Sequence, residues 1–351
     1  MARLPTGSAP HPLGSAGGGC SHLLSAPFSI LLDVNSLCQL RCKYCSSMPF
    51  LGTSIPVDRC CEVLDELGQL GVCYVTFSGG EPLLHRDWKR MALRAVRAGL
   101  RVGVNTNGIV LASAGAAIAR ELGDVAPLLD MRISLDSALD EANDAARGRC
   151  VDVKDGIDVA LRSGFSVTLS GVVHKANLHN AASVIAAYYP RVTAFSFFRV
   201  LPTARGAQYP ELLLTDEEFA AFCERIQALR AKYPKLELQL PVRQVLRAEA
   251  GTLAEEVRHC YCGFTKAYID PQLDVYPCTY SRVARYRLGN LAARSFADVW
   301  RSPEAAAVRA AAEAEPLCGV VPTRPGLAIR YREPDRIRLP IHGAATTAPG
   351  R

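Results

Sequence analysis

Between Phe28 and Val200 the chain alternates six apolar, strand-like runs with five helical patterns, and this alternation restricts the fold more than any other feature. The strand-like runs cover 28–34, 73–77, 101–104, 131–135, 166–173 and 192–200; helical periodicity fills 57–70, 87–98, 113–122, 151–163 and 178–188. Strands joined through a helix pair in parallel with a right-handed crossover, and repeating that unit curls the sheet. The expected class is α/β, a curved or barrel-like parallel sheet spanning 26–206, with its site at the C-terminal ends of the strands. Residues 1–25 and 321–351, rich in Pro, Gly, Ala and Arg without apolar periodicity, read as disordered tails.

Composition removes several function classes. With 351 residues and 49% hydrophobic content, the chain can fill one large core and a smaller one. No apolar run approaches the roughly 18 residues that cross a bilayer, so no membrane association is expected. The net charge of +6 is spread along the chain, which gives nucleic-acid binding no support. The first 20 residues lack an apolar signal-peptide core. The 13 cysteines therefore read as thiols of a cytoplasmic protein, not as a disulfide framework.

Three of those cysteines, Cys38, Cys42 and Cys45, stand as C-x3-C-x2-C directly after the first strand. A structural zinc site closes its tetrahedron with a fourth Cys or His, and none follows before Cys60. Three thiolates can instead hold an iron-sulfur cluster and leave one iron open for chemistry. After the second strand comes Phe77-Ser-Gly-Gly-Glu-Pro82, where Gly79 and Gly80 permit close backbone approach and Glu81 adds a carboxylate. Spacing and placement together resemble the radical S-adenosylmethionine (SAM) superfamily, a resemblance that implies a partial (βα)6 TIM-like barrel over 26–206. The resemblance implies a 4Fe-4S cluster on Cys38, Cys42 and Cys45, with SAM on the fourth iron and the Gly79-Gly80-Glu81 turn at its amino group. It further implies Tyr44 near the adenine, Ser134 and more weakly Asp136 at the ribose and carboxylate, and a flavodoxin- or ferredoxin-type electron donor. One-electron reduction of SAM then yields a 5'-deoxyadenosyl radical that abstracts hydrogen. His174, Lys175 and Asn177 after the fifth strand, and Arg199, Leu201 and Pro202 after the sixth, are candidates for substrate contact. Turn formation explains several of these polar strand ends equally well.

A charged, helical stretch at 207–257 reads as a bridge to a second cysteine group: Cys260, Cys262, Cys278 and Cys318, with Leu288-Gly-Asn-Leu291 and Trp300 between the last two. Residues 258–320 resemble a small C-terminal SPASM or twitch-like domain, which binds auxiliary iron-sulfur clusters. Leu273 stands where that family's hairpin usually has Gly, and no cysteine follows Cys318. One auxiliary 4Fe-4S cluster is expected, and zinc on the same residues is the alternative. Such a cluster accepts an electron from substrate or only supports the fold; Cys150 or Cys223 could donate hydrogen to a product radical. With no room before Phe28 for a leader-binding domain, the expected substrate is a small polar natural-product intermediate, a sugar, aminocyclitol or nucleoside of antibiotic biosynthesis. Dehydrogenation, epimerisation and decarboxylation stay open as outcomes. A ribosomal-peptide maturase of the SPASM type and a non-catalytic iron-sulfur sensor are the competing readings.

Overall fold

The computed structural model describes residues 24–46, 52–240 and 262–314. Seven strands pair in parallel in chain order: β1 (Ser29–Asn35), β2 (Tyr74–Gly79), β3 (Arg101–Thr106), β4 (Leu129–Ser134), β5 (Ser166–Val173), β6 (Ala194–Arg199) and β7 (Glu237–Gln239). Three more, β8 (Lys266–Ile269), β9 (Asp274–Tyr276) and β10 (Gly289–Asn290), extend the same sheet beyond β1. The strand β8 lies parallel to β1, and β9 and β10 return antiparallel. The C-terminal extension is therefore joined to the core by backbone hydrogen bonds.

Helices cover the outer face of this sheet. They are α1 (Val57–Gln69), α2 (Trp88–Arg97), α3 (Ile109–Leu122), α4 (Asp140–Asp144), α5 (Cys150–Arg162), α6 (Ser183–Tyr188) and α7 (Asp216–Ala228). Helix α1 buries Cys60, Val63, Leu64 and Leu67, and α2 buries Trp88, Met91, Ala92 and Ala95; each set is the i, i+3, i+4, i+7 stripe of a half-buried helix. Facing the helices, alternate strand residues such as Ile30, Leu32, Phe77, Val104, Ile133 and Phe195 are buried.

The opposite strand face is polar. Register sets Asp33 beside Ser78, Asn105 beside Arg132 and Thr168, and Ser134 beside Ser170 and Ser196. The sheet thus keeps one hydrophilic face where a closed barrel would stack apolar layers. Toward its N-terminal end, Asp130 accepts hydrogen bonds from Thr168 Oγ1 (2.8 Å), Arg132 Nε (2.8 Å) and the Tyr74 hydroxyl (3.3 Å).

Arg59 on α1 fastens the extension, donating to the carbonyls of Leu291 (2.7 Å) and Arg294 (2.8 Å), while Glu66 accepts from Phe296 N (2.6 Å). Phe296 opens α8 (Phe296–Trp300), which precedes α9 (Pro303–Ala314).

Two local expectations shift. The helix placed at 178–188 is confined to α6, because the Asn177 side chain organises 174–177 as a turn: its Oδ1 accepts from His174 N, and its Nδ2 donates to Val172 O. Within the bridge region, 207–240 contributes α7 and also the seventh strand, β7; residues 241–257 lie outside the described residues.

Candidate functional site

The loop after β1 carries Cys38, Cys42 and Cys45, all half-buried thiols. Its start is clamped onto the turn after β2: Gly80 N donates to Asn35 O (2.9 Å), Glu81 N to Leu37 O (2.6 Å), and Asn35 Nδ2 to Glu81 O (3.0 Å). A Cβ on Gly79 would lie 2.1 Å from Asn35 O, and one on Gly80 would lie 2.0 Å from Leu37 O. Glycine is required at both positions because backbone packs on backbone there, and Gly79 also has φ +120°.

Glu81 is 1% exposed. Its carboxylate accepts from Asn107 N (2.7 Å), Thr106 Oγ1 (2.8 Å) and Leu83 N (3.1 Å), binding the end of β2 to that of β3. Burial pushes its pKa up to about 7 in spite of those bonds.

A second group forms where the cluster loop meets the ends of β4 and β5. The Tyr44 hydroxyl donates to Asp136 and accepts from Arg147 Nη1 (3.0 Å). Asp136 is fully buried, with Oδ1 accepting from Val172 N (2.9 Å), and Arg147 approaches it to 3.8 Å. Burial, followed by the Asp136 charge, holds the Tyr44 phenol well above its usual pKa. His174 lies against the Tyr44 ring, centroids 5.9 Å apart. Among the described residues, both His174 ring nitrogens and Arg147 Nε are buried without a hydrogen-bond partner. Burial lowers the His174 pKa, favouring the neutral ring. Ser134 stands half-buried on the polar face of the sheet, one strand from Ser170.

These residues fit the groups implied by the sequence. Among the described residues no three Cys, His, Asp or Glu side chains converge on a point that one metal ion could occupy. Mononuclear zinc draws its sulfurs to about 2.3 Å from a single ion, whereas a cluster takes each thiolate on its own iron. Leu40 N donates to Cys38 Sγ (3.4 Å), and Asn107 Nδ2 lies 3.9 Å from it, the kind of contact that tunes a cluster. Burial raises the Cys38 and Cys42 thiol pKa values, so iron must supply the drive to ionise them. The unpartnered nitrogens of Arg147 and His174 suit a polar ligand bearing a carboxylate.

In the extension, Cys262 and Cys278 flank the β8–β9 hairpin; Cys260 and Cys318 lie outside the described residues. Leu273, expected to depart from the usual Gly, adopts the left-handed conformation that Gly favours, φ +66°, while being 4% exposed. Its burial outweighs the strain. Cys150 and Cys223 are buried in α5 and α7, which removes them as hydrogen donors to a substrate.

A cavity of about 380 Å³ opens between the end of β1, the cluster loop and the extension, lined among others by Asp33, Ser46, Thr53, Ala204, Thr279 and Arg282. Asp33 is 3% exposed and accepts from the Tyr268 hydroxyl (2.7 Å). The sequence pattern assigns no role to Arg147 or to Arg282. An arginine's role here depends on which carbonyls the fold brings within its reach.

The family model of the radical SAM superfamily matches residues 34–183, and that of the SPASM iron-sulfur cluster-binding domain matches 260–320. The chain is 28% identical over 302 residues to the mycofactocin maturase MftC of Mycolicibacterium smegmatis, covering 80% of this chain and 72% of that protein. It is 26% identical over 306 residues to the PqqA peptide cyclase of Rhodopseudomonas palustris, covering 82% and 77%. Its fold matches Streptococcus suis SuiB, solved bound to the precursor peptide SuiA, with TM-score 0.69 at 16% identity over 82% of this chain and 67% of that one.

These findings overturn the expected small polar substrate and small-molecule partner. The chain aligns over both its domains with an enzyme named for a peptide and with a maturase, and antibiotic biosynthesis gains no support. The space before Phe28 does not decide the substrate class, because what a reactive centre admits depends on the cavity around it. Among the described residues, no helix is long and apolar enough to cross a membrane.

Proposed function

Since this chain belongs to the radical SAM superfamily and carries a C-terminal SPASM extension, we propose that it modifies a ribosomally made peptide by removing hydrogen from one of its residues. The observation that carries this reading is the likeness to the PqqA peptide cyclase over both domains. The cavity shared by core and extension supports it, being open to the surface and bounded by the loops of both cysteine groups. We assign the radical SAM core to 26–206, the bridge to 207–257 and the extension to 258–320.

Cys38, Cys42 and Cys45 would hold a 4Fe-4S cluster whose remaining iron is open to SAM, and the two together would supply the radical chemistry that removes hydrogen from an unactivated C–H bond. Cys260, Cys262, Cys278 and Cys318 are the residues that would hold the auxiliary cluster. The Gly79-Gly80 turn offers backbone carbonyls to the SAM amino group, and Glu81 holds that turn in place. Arg147 meets the SAM carboxylate through the edge left unpartnered at Nε. Tyr44, fixed by Asp136 and Arg147, walls the nucleoside side together with Ser134. The peptide residue enters the cavity, where Asp33 presents a carboxyl group that burial pushes up to about 6, suited to accept a proton near neutral pH. Counted over the reaction, SAM is the oxidant: its cleavage to methionine and 5'-deoxyadenosine would take up one electron and one hydrogen atom of the peptide, and the peptide's second electron would pass to the auxiliary cluster as a proton is released, replacing the electron spent on SAM.

The test is anaerobic co-expression with short peptides encoded beside the gene, followed by mass spectrometry. The expected result is a peptide lighter by two hydrogens, formed together with 5'-deoxyadenosine. An unchanged peptide, with 5'-deoxyadenosine released only when a sugar or nucleoside is added, would overturn the reading.

A further inference from the structure

Arg282 lies four residues after Cys278, at the end of the turn that follows the hairpin. Its Nη2 donates to the carbonyl of Ser46 (2.6 Å), the residue directly after Cys45. Its Nε donates to the carbonyl of Thr279 (3.1 Å), the residue directly after Cys278. Nη1 donates to the Tyr268 hydroxyl (3.3 Å), which itself donates to Asp33, and the guanidinium lies 5.7 Å from the Tyr268 ring centroid. One planar cation therefore spans the peptide groups adjoining a ligand of each cysteine group.

Two physical consequences follow. A guanidinium presents its donors in a rigid fork, so bonding two carbonyls at once fixes the separation of the loops that carry them. It also stays charged at every accessible pH, and a fixed positive charge beside a metal cluster favours the reduced, more negative form. We propose that Arg282 is a positioning residue common to both cluster sites, setting the spacing of the two cysteine loops and raising the reduction potential of both clusters. This rests on the reading that Cys38, Cys42 and Cys45 hold one cluster and the Cys278 group another. The bridge passes along the wall of the cavity proposed for the peptide, so the same side chain shapes the space between the two redox centres.

The test is a potentiometric titration followed by electron paramagnetic resonance, on full-length protein reconstituted anaerobically with iron and sulfide. Wild-type protein must first show iron for two clusters; iron for one cluster or none refutes the underlying reading before Arg282 is touched. Arg282→Gln removes the charge. At a fixed poise its ratio of reduced to oxidised cluster is expected to fall roughly 10-fold in both signals, about 59 mV for a one-electron couple. Arg282→Lys keeps the charge and loses the fork, and is expected to hold both ratios within about 3-fold of wild type. Arg285→Gln, on the same segment, serves as a control that moves neither.

A shift confined to one cluster, or wild-type ratios in a fully iron-loaded Arg282→Gln protein, overturns the proposal. If Arg282→Gln fails to load iron, Arg282→Lys decides. Two loaded clusters at near-wild-type ratios support the role of charge, and a 10-fold change in either overturns it.

Discussion

Replacing Asp33 by Asn is expected to make the protein more stable at pH 8 while impairing turnover. Asp33 is 3% exposed, bonded to the Tyr268 hydroxyl, and faces the Arg282 guanidinium and the Asp270 carboxylate. Burial outweighs the help from Tyr268 and Arg282 and lifts its pKa from 3.8 to about 6. The folded state therefore holds this proton more tightly than the unfolded chain does. The resulting stability is fully present below pH 3.8 and is lost as pH rises through 6, a total of about 3 kcal/mol. Roughly 1.4 kcal/mol of that falls between pH 5 and 8. Asn keeps an acceptor for Tyr268 but does not ionise, so this part of the pH dependence disappears. At pH 8 the variant should exceed wild type by about 1–2 kcal/mol after the weaker, neutral hydrogen bond is allowed for. Urea unfolding of cluster-free protein at several pH values measures the difference. In reconstituted protein, SAM cleavage should persist while peptide modification falls by roughly 10-fold or more, since the cavity has lost its proton acceptor. Parallel pH profiles in the two proteins, or a variant less stable than wild type at pH 8, would refute the assignment.

Gly80→Ala brings a methyl group to within 2.0 Å of Leu37 O, backbone that cannot yield without moving the cluster loop. SAM affinity measured by calorimetry should weaken at least roughly 10-fold while circular dichroism stays unchanged, and wild-type affinity would contradict the role given to this turn. At Leu273 the order of substitutions is informative. Ala loses the buried side chain and keeps the left-handed strain, whereas Gly loses the side chain and relieves the strain, so Leu273→Gly should be the more stable of the two by about 1 kcal/mol. Thermal unfolding that ranks Ala above Gly would show that the strain is not real. Changing Cys38, Cys42 and Cys45 together to Ala should leave iron equivalent to about one cluster in reconstituted protein, held by the extension. Iron analysis near zero would count against the C-terminal site.

Much of the architecture is visible in one dimension because it is written in short-range chemistry. The alternation of strand-like and helical runs identifies a parallel α/β sheet, since each βαβ unit is local in sequence. The cysteine triplet and the Gly-Gly-Glu turn, each at a strand end, identify the superfamily and its cofactors. Contacts between distant segments were not visible. Glu81 reads as a carboxylate facing a ligand, yet the fold commits it to Asn107, Thr106 and Leu83. Asp136 reads as a turn residue or a weak SAM contact, yet it is a fully buried carboxyl group holding Tyr44 in place, 3.8 Å from Arg147. The extension reads as a separate small domain, yet its strand β8 pairs with β1.

Substrate class illustrates the same division. Motifs identify the reaction because the cofactor brings the difficult chemistry and needs only a fixed set of ligands. They say little about what is acted on, because the cavity is assembled from β1, the cluster loop, the segment after β6 and the extension, about 250 residues apart at the extremes. The chain alone thus determined the order of strands and helices, the cysteine triplet that follows the first strand and the two glycines that let backbone meet backbone. Only the tertiary structure decided which carboxylates are buried, which nitrogens stay unpartnered and which arginine joins the two cysteine loops. Ligand spacing is a property of neighbours in sequence, whereas burial and charge pairing come from residues that meet only after the chain has folded.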